Sequence, residues 1–347
     1  MRTLKFLLSK QLKCPKGIQQ VDGFTLIELL VGLILSFLII TPLLGFMINI
    51  LDTDRKEQAK ANSEQETQAA LDYIARDLQQ AIYIYDATGI ACLTGTADTT
   101  TCPNASTTGN QLPSPTATDR VPVLVFWKRE LVNQAITITG SQKDDTFVYS
   151  LVAYYLIKDT SSTWSQAARI ARWQIRDGVA DPSSTQTCGK YVTNQCPSPG
   201  FALFKLDGIG TITQKMNSWT KATASYTADP AVLLDFIDQT KPEDVSTDMA
   251  SKIATTCPAD STTPTVVTWS KVPPNIATLN TRDTYKMTSF YACVDLVNTT
   301  AQVFIRGNAL ARIETDSNKI KNDSDSKKNY FPTASIRVQG RGYLYTK

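Results

Sequence analysis

The stretch Val21–Ile40, VDGFTLIELLVGLILSFLII, carries one charge after Asp22, the carboxylate of Glu28. An ionised group at membrane depth costs about 2.5 kcal/mol or more on insertion scales, so a lone acid there needs a reason. The apolar run from Phe24 to Leu51 is 28 residues long, enough to span a bilayer with some tilt. A secretory signal has a shorter apolar core, of about 7–15 residues, and a small-residue cleavage site after it. Here the run ends in NILDTDRKEQ, so the segment is expected to stay in the membrane as an anchor.

Charge gives that anchor a direction. The formal net charge is +3, but residues 1–23 alone hold Arg2, Lys5, Lys10, Lys13 and Lys16 against Asp22, a local +4. Everything after Gly23 therefore sums to −1, which implies no nucleic-acid or other polyanionic partner. Basic residues ahead of the span favour a cytoplasmic N-terminus and place the rest of the chain outside the inner membrane.

The chain has no histidine. That removes the commonest general base, every Ser-His or Cys-His couple and the usual zinc and iron ligand sets. No enzyme activity, catalytic residue, metal site or cofactor is expected.

Cys14 lies before the span and six cysteines follow it: Cys92, Cys102, Cys188, Cys196, Cys257 and Cys293. None has C-x-x-C spacing, and six cysteines allow 15 pairings. Outside the cytoplasm the simplest assignment joins sequence neighbours, 92–102, 188–196 and 257–293; in a cytosolic chain the same six would be free buried thiols. The prolines Pro103, Pro197 and Pro258, each directly after a cysteine, suit oxidised surface loops.

Beyond the span the sequence turns amphipathic. In QAALDYIARDLQQAIYI (68–84), Leu71, Ile74, Ala75, Leu78, Ala81 and Ile82 recur on one helical face. The preceding DTDRKEQAKANSEQETQ (52–68) is polar and free of Gly and Pro, so one nearly continuous helix is predicted from Phe24 to Ile84. Pro42, with Gly45 after it, removes a helical hydrogen bond and is expected to kink or loosen this helix.

The motif GFTLIELLVGLIL (23–35), set after a short basic leader and opening a long apolar helix, resembles the cleavage and methylation signature of type IV pilins and type II secretion pseudopilins. The resemblance implies that a prepilin peptidase cuts between Gly23 and Phe24 on the cytoplasmic side and methylates the new amine of Phe24. Asp22 departs from the neutral or basic residues usual just before that cut, which implies slower cleavage. Glu28 matches the family's membrane acid. In a bundle of related helices it would face the amine of Phe24 on a neighbour, lowering both desolvation costs and fixing axial register. The other reading leaves Glu28 at headgroup level, where it suits the helix dipole. LDYIARDLQQA (71–81) is similar to the same segment of the larger minor pseudopilins, the class of the type II J and pilus W subunits.

The remaining sequence predicts an α+β head: an antiparallel sheet packed on the helix and elaborated by disulfide-pinned loops. Strand-like segments are VPVLVFW (121–127), AITITG (135–140), TFVYSLVAYYLIKD (146–159), ARIARWQIRDGV (168–179), FALFKLDGIGTIT (201–213), YACVDLVNTTAQVFIRG (291–307) and ASIRVQGRGYLYTK (334–347). Residues 86–120 are rich in Thr, Ser, Asn, Gly and Pro and read as loop. PAVLLDFIDQT (230–240) reads as a short helix. VAYYLIKD and ARIARWQI read as a hairpin similar to one in the larger pseudopilins. With VFIRGNALARIE (303–314), the head resembles the pseudopilins of cyanobacterial hormogonium polysaccharide secretion.

The organisation expected is thus a leader at 1–23, a membrane and assembly half-helix at 24–51, an amphipathic half at 52–85 and an extracytoplasmic head at 86–347. The resemblance implies a minor pseudopilin of a pilus-like or type II secretion-like filament serving polysaccharide export and gliding motility. Its implied partners are the prepilin peptidase, other pseudopilins, the inner-membrane assembly platform, membrane lipid and the exported polysaccharide. A surface adhesin or glycan-binding tip pilin would use the same anchor. Asp323 and Asp325 in TDSNKIKNDSDSKKN (315–329) faintly suggest a calcium loop, but the glycine turn and distal glutamate are missing, and a solvated loop is the better reading. Trp164, Trp173, Trp219 and Trp269 could line a sugar-binding surface, although tryptophan belongs more often to a core or its rim.

Overall fold

The computed structural model describes residues 23–96, 102, 110–113, 118–140, 142–181, 188–259, 268–275, 282–342 and 344. The leader residues 1–22, with Lys13, Lys16, Cys14 and Asp22, lie outside the described residues, as do parts of the Thr/Ser-rich loops and Tyr343 and 345–347. The chain divides into two compact units, Met1–Asp54 and Arg55–Lys347.

A single helix, α1 (Leu26–Gln79), belongs to both units. In the first unit its apolar side chains, from Leu26 to Leu51, are exposed all round. This is the one helix among the described residues that is long and apolar enough to cross a membrane. Helical backbone continues through Pro42 and Gly45. Thr41 Oγ1 donates to the Phe37 carbonyl at 2.8 Å and Ser36 Oγ to that of Gly32 at 2.8 Å, so these hydroxyls need no water.

In the second unit α1 buries one face: Ala59, Ser63, Thr67, Ala70, Leu71, Ile74, Ala75, Asp77 and Leu78. The expected stripe of Leu71, Ile74, Ala75 and Leu78 is on this face. The helix is shorter than predicted, because Ala81–Ile84 leave it to form strand β1. Their period-four apolar pattern fits a helix, yet Ile82, Tyr83 and Ile84 are β-branched or aromatic, and all four residues are buried, pairing with Phe126–Lys128.

The first sheet has five antiparallel strands in the order β1 (Ala81–Ile84), β2 (Arg120–Thr139), β3 (Gln142–Ile157), β4 (Ala168–Arg176) and β5 (Ala231–Ile237). VPVLVFW is apolar without alternation because both faces of β2 are covered. Phe126 stacks on Tyr154 on the α1 side, whereas Trp127 meets Phe201, Phe204 and Trp219 edge to face on the other. The expected β3–β4 hairpin is present, with Ile157 opposite Arg169 and Ser150 opposite Arg176.

A second sheet replaces the single sheet expected. Its order is β6 (Ser270–Val272), β7 (Phe290–Asp295), β8 (Thr300–Arg306) and β9 (Thr333–Gln339), all antiparallel. The two sheets join where Ile237 bridges Gly307 and Asn308 N donates to the Phe236 carbonyl at 2.7 Å. Gly307 also lets α1 come close: a Cβ there would lie 2.7 Å from Ser63 Oγ and 3.0 Å from Thr67 Oγ1.

Three local readings are corrected. Residues 201–211 form no strand, and Ile212–Asn217 is a short helix with a Thr211–Gln214 capping box. Phe201 and Phe204 anchor a loop on Trp127, and Gly208 and Gly210 (φ 87° and 121°) break extended pairing. PAVLLDFIDQT contains β5, not a helix, since its β-branched and aromatic residues complete the edge beside β4. Within the predicted loop at 86–120, Ala87–Thr94 is a helix, α2, capped by Asp86 accepting from Gly89 N and closed by Gly95 at φ 70°.

Candidate functional site

The sequence singled out Gly23, Phe24 and Glu28, and the structure places them together at the start of α1. Thr25 caps the helix. Its Oγ1 accepts from Glu28 N at 3.3 Å, and its carbonyl accepts from Glu28 N at 3.0 Å and Leu29 N at 3.1 Å. Thr25-Leu-Ile-Glu28 is thus the sequence of a capping box, with Glu28 in the first turn at the positive end of the helix dipole. Gly23 has nothing within 4 Å of where a Cβ would be, and Phe24 is 80% exposed. The Glu28 carboxylate lies one helical turn beyond the Gly23–Phe24 bond.

The six cysteines of the second unit are joined as sequence neighbours: Cys92–Cys102, Cys188–Cys196 and Cys257–Cys293, with Cα separations of 5.5, 5.9 and 5.7 Å. Cys92 is in the last turn of α2 and Cys293 in β7, so two of the three bridges tie loops to regular elements. Asp323 and Asp325 face lysines, Oδ2 to Lys327 Nζ at 3.0 Å and Oδ2 to Lys252 Nζ at 2.8 Å. Among the described residues no cluster of three or more His, Cys, Asp or Glu could hold a metal ion. Trp173 and Trp219 are core residues, while Trp164 is exposed and Arg337 lies over the Trp269 ring at 4.9 Å.

The residue the sequence reading missed is Asp77. It is 7% exposed, near the end of α1, and three side chains from the first sheet converge on it. Lys128 Nζ (β2) donates to Oδ1 at 2.8 Å, and Tyr154 OH (β3) and Arg172 Nε (β4) donate to Oδ2 at 2.8 and 2.7 Å. The network continues along the sheet, from Arg172 to Gln174 Oε1 and from Gln174 Nε2 and Ser150 Oγ to Glu130 Oε2. Burial works to raise the Asp77 pKa, but the Arg172 hydrogen bond and the Arg172 and Lys128 charges outweigh it and hold the carboxyl below its usual range. Desolvation, with the Asp77 charge, pushes the Tyr154 hydroxyl far up, so it stays a donor. The arrangement fixes the helix on the sheet. A signal was present, because Ala70, Ile74, Asp77 and Ala81 lie on one face by helical spacing, and Asp77 is the acid in that apolar stripe.

The chain matches no known protein family, no characterised protein and no solved structure.

Proposed function

We propose that this chain is a minor pseudopilin: a structural subunit that enters a type IV pilus-like or type II secretion-like filament through α1. The observation that carries the reading is Gly23–Phe24 followed one turn later by Glu28, at the head of a helix whose apolar side chains from Leu26 to Leu51 are exposed among the described residues. Such a surface needs lipid or other helices around it. In this reading the basic leader holds the N-terminus in the cytoplasm, the peptidase cuts after Gly23, and the freed amine of Phe24 meets Glu28 of a neighbouring subunit. The disulfide-bonded second unit then stands outside the inner membrane, where thiols oxidise. Its two sheets, of five and four strands, together with α1 residues 55–79 make the head, and the service we propose for the filament is export of polysaccharide.

The test is Gly23→Arg in cells that express the cognate peptidase. Full-length precursor should accumulate in the membrane fraction, read by intact mass. Normal processing of the variant would overturn the reading.

A further inference from the structure

The second sheet turns Phe290, Ala292, Val294, Val303 and Ile305 into the core and the opposite faces of its strands to a cleft. There Tyr291 and Phe304, cross-strand partners on β7 and β8, lie ring on ring with centroids 4.5 Å apart and planes 4° from parallel. They border a cavity of about 680 Å³, walled by the short helix Thr247–Lys252 on one side and the 3-10 turn Asp325–Tyr330 on the other. That volume is within the ~300–1,000 Å³ of small-ligand sites.

Two residues of its lining carry a buried polar atom with no hydrogen-bond partner: Ser289 Oγ and Asn322 Oδ1, on residues 1% and 5% exposed. Buried polar groups are nearly always satisfied, so each such atom points to a missing partner. An amide oxygen needs a donor, which a ligand hydroxyl supplies. The charged groups of the lining, by contrast, are already committed. Arg306 donates to Asp238 Oδ2 and Thr288 Oγ1, both at 2.7 Å, and Lys252 Nζ lies 2.8 Å from both Asp248 and Asp325. The Lys328 charge acts on Asp325 as well. No surplus of either sign is left to select an ion. β8 itself offers no free edge to a peptide, because it is paired along its length with β7 and β9.

We propose that this cleft binds a neutral oligosaccharide. Its hydroxyls would donate to Asn322 Oδ1 and exchange hydrogen bonds with Ser289 Oγ, Asn329 and Thr333, and its apolar sugar face would lie against the aromatic pair. The proposal rests on the pseudopilin reading only for its biological use, by giving the exported polymer a place on the head. Its test reads saccharide binding and the Gly23 test reads processing, so each can fail alone.

The experiment uses the full chain in detergent on an array of short neutral oligosaccharides (gluco-, galacto-, manno- and xylo- series) beside oligouronates and sulfated oligosaccharides. The strongest neutral ligand is then titrated against variants by calorimetry. At least one neutral series should bind, with an affinity insensitive to salt. Asn322→Leu and Phe304→Ala should each weaken it roughly tenfold or more. Asn329→Ala, an exposed wall position that leaves the core untouched, should weaken it severalfold, while Ile138→Ala on the distant β2–β3 hairpin should not change it. Absence of any neutral ligand, a preference for the acidic series that salt abolishes, or wild-type affinity in Asn322→Leu and Asn329→Ala would each overturn the proposal.

Discussion

Arg172 Nε on β4 donates to Asp77 Oδ2 in the last turn of α1 at 2.7 Å, and Lys128 Nζ on β2 holds the other carboxylate oxygen at 2.8 Å. An acid in the last turn of a helix opposes the helix dipole, so only the two cations explain its place there. Asp77→Asn should leave Lys128 and Arg172 buried without a counter-charge and destabilise the head by about 3–5 kcal/mol. Urea unfolding of the full chain in detergent, followed by tryptophan fluorescence, measures it. A change below about 1 kcal/mol would show that the cluster contributes little.

The same carboxyl sets a pH dependence. Its pKa is lowered in the folded state, so the unfolded chain takes up its proton first as pH falls. The stability it contributes is complete above the unfolded value of about 3.9 and is lost as pH drops through the lower folded value. Wild type should therefore lose stability steadily below about pH 4, and Asp77→Asn should show a shallower slope there. Identical slopes would remove Asp77 from the account.

Loop length ranks the disulfides. Cys257–Cys293 closes 36 residues, against 10 and 8 for the other two. Chain-entropy arguments give about 3–4 kcal/mol for the long loop and about 2.5 kcal/mol for each short one. Cys257→Ser with Cys293→Ser should lower the urea midpoint more than either other double replacement. An equal or smaller drop would place the effect in native packing instead.

Gly307, one residue past β8, sits close against α1. Gly307→Ala would set a methyl 2.7 Å from Ser63 Oγ and 3.0 Å from Thr67 Oγ1, with Pro332 Cγ at 3.3 Å on the other side. The Ser63 hydroxyl can turn aside but the helix backbone behind it cannot, so a loss of about 1–3 kcal/mol is expected. Adding Ser63→Ala to the variant should recover part of it, a coupling that a double-mutant cycle reads directly.

Glu28 tests assembly rather than folding. Glu28→Ala should still fractionate with membranes, because the apolar run from Leu29 to Leu51 is intact, yet should lose co-purification with partner pilins. Unchanged partner recovery would leave the carboxylate with only its place in the first turn beside the Thr25 cap.

Some of this was readable from the chain alone. The apolar span, the buried stripe of Leu71, Ile74, Ala75 and Leu78, the β3–β4 hairpin and the α+β class all follow from local pattern and spacing. Such signals survive because each depends on the residue's own face of a helix or strand. Residues 81–84 and 230–240 were misread because period-four apolar spacing in a short run fits a helix or a buried strand equally, and partners distant in sequence decide between them. FALFKLDGIGTIT reads as a strand from its apolar residues, but Phe201 and Phe204 instead hold a loop on Trp127.

The sequence by itself determined the long apolar span, the stripe of Leu71, Ile74, Ala75 and Leu78 on the buried face, and the lack of histidine. Tertiary structure alone decided that the head has two sheets, that Asp77 is held by Lys128 and Arg172, and that Tyr291, Phe304, Ser289 and Asn322 line one cavity. The physical reason is range. Helix signals act within about four residues, whereas Asp77 and Arg172 are 95 residues apart. Glu28 and Asp77 make the contrast plain, each an acid on an apolar helical face. The chain itself supplies the partners of Asp77, and for Glu28 it supplies the helix cap.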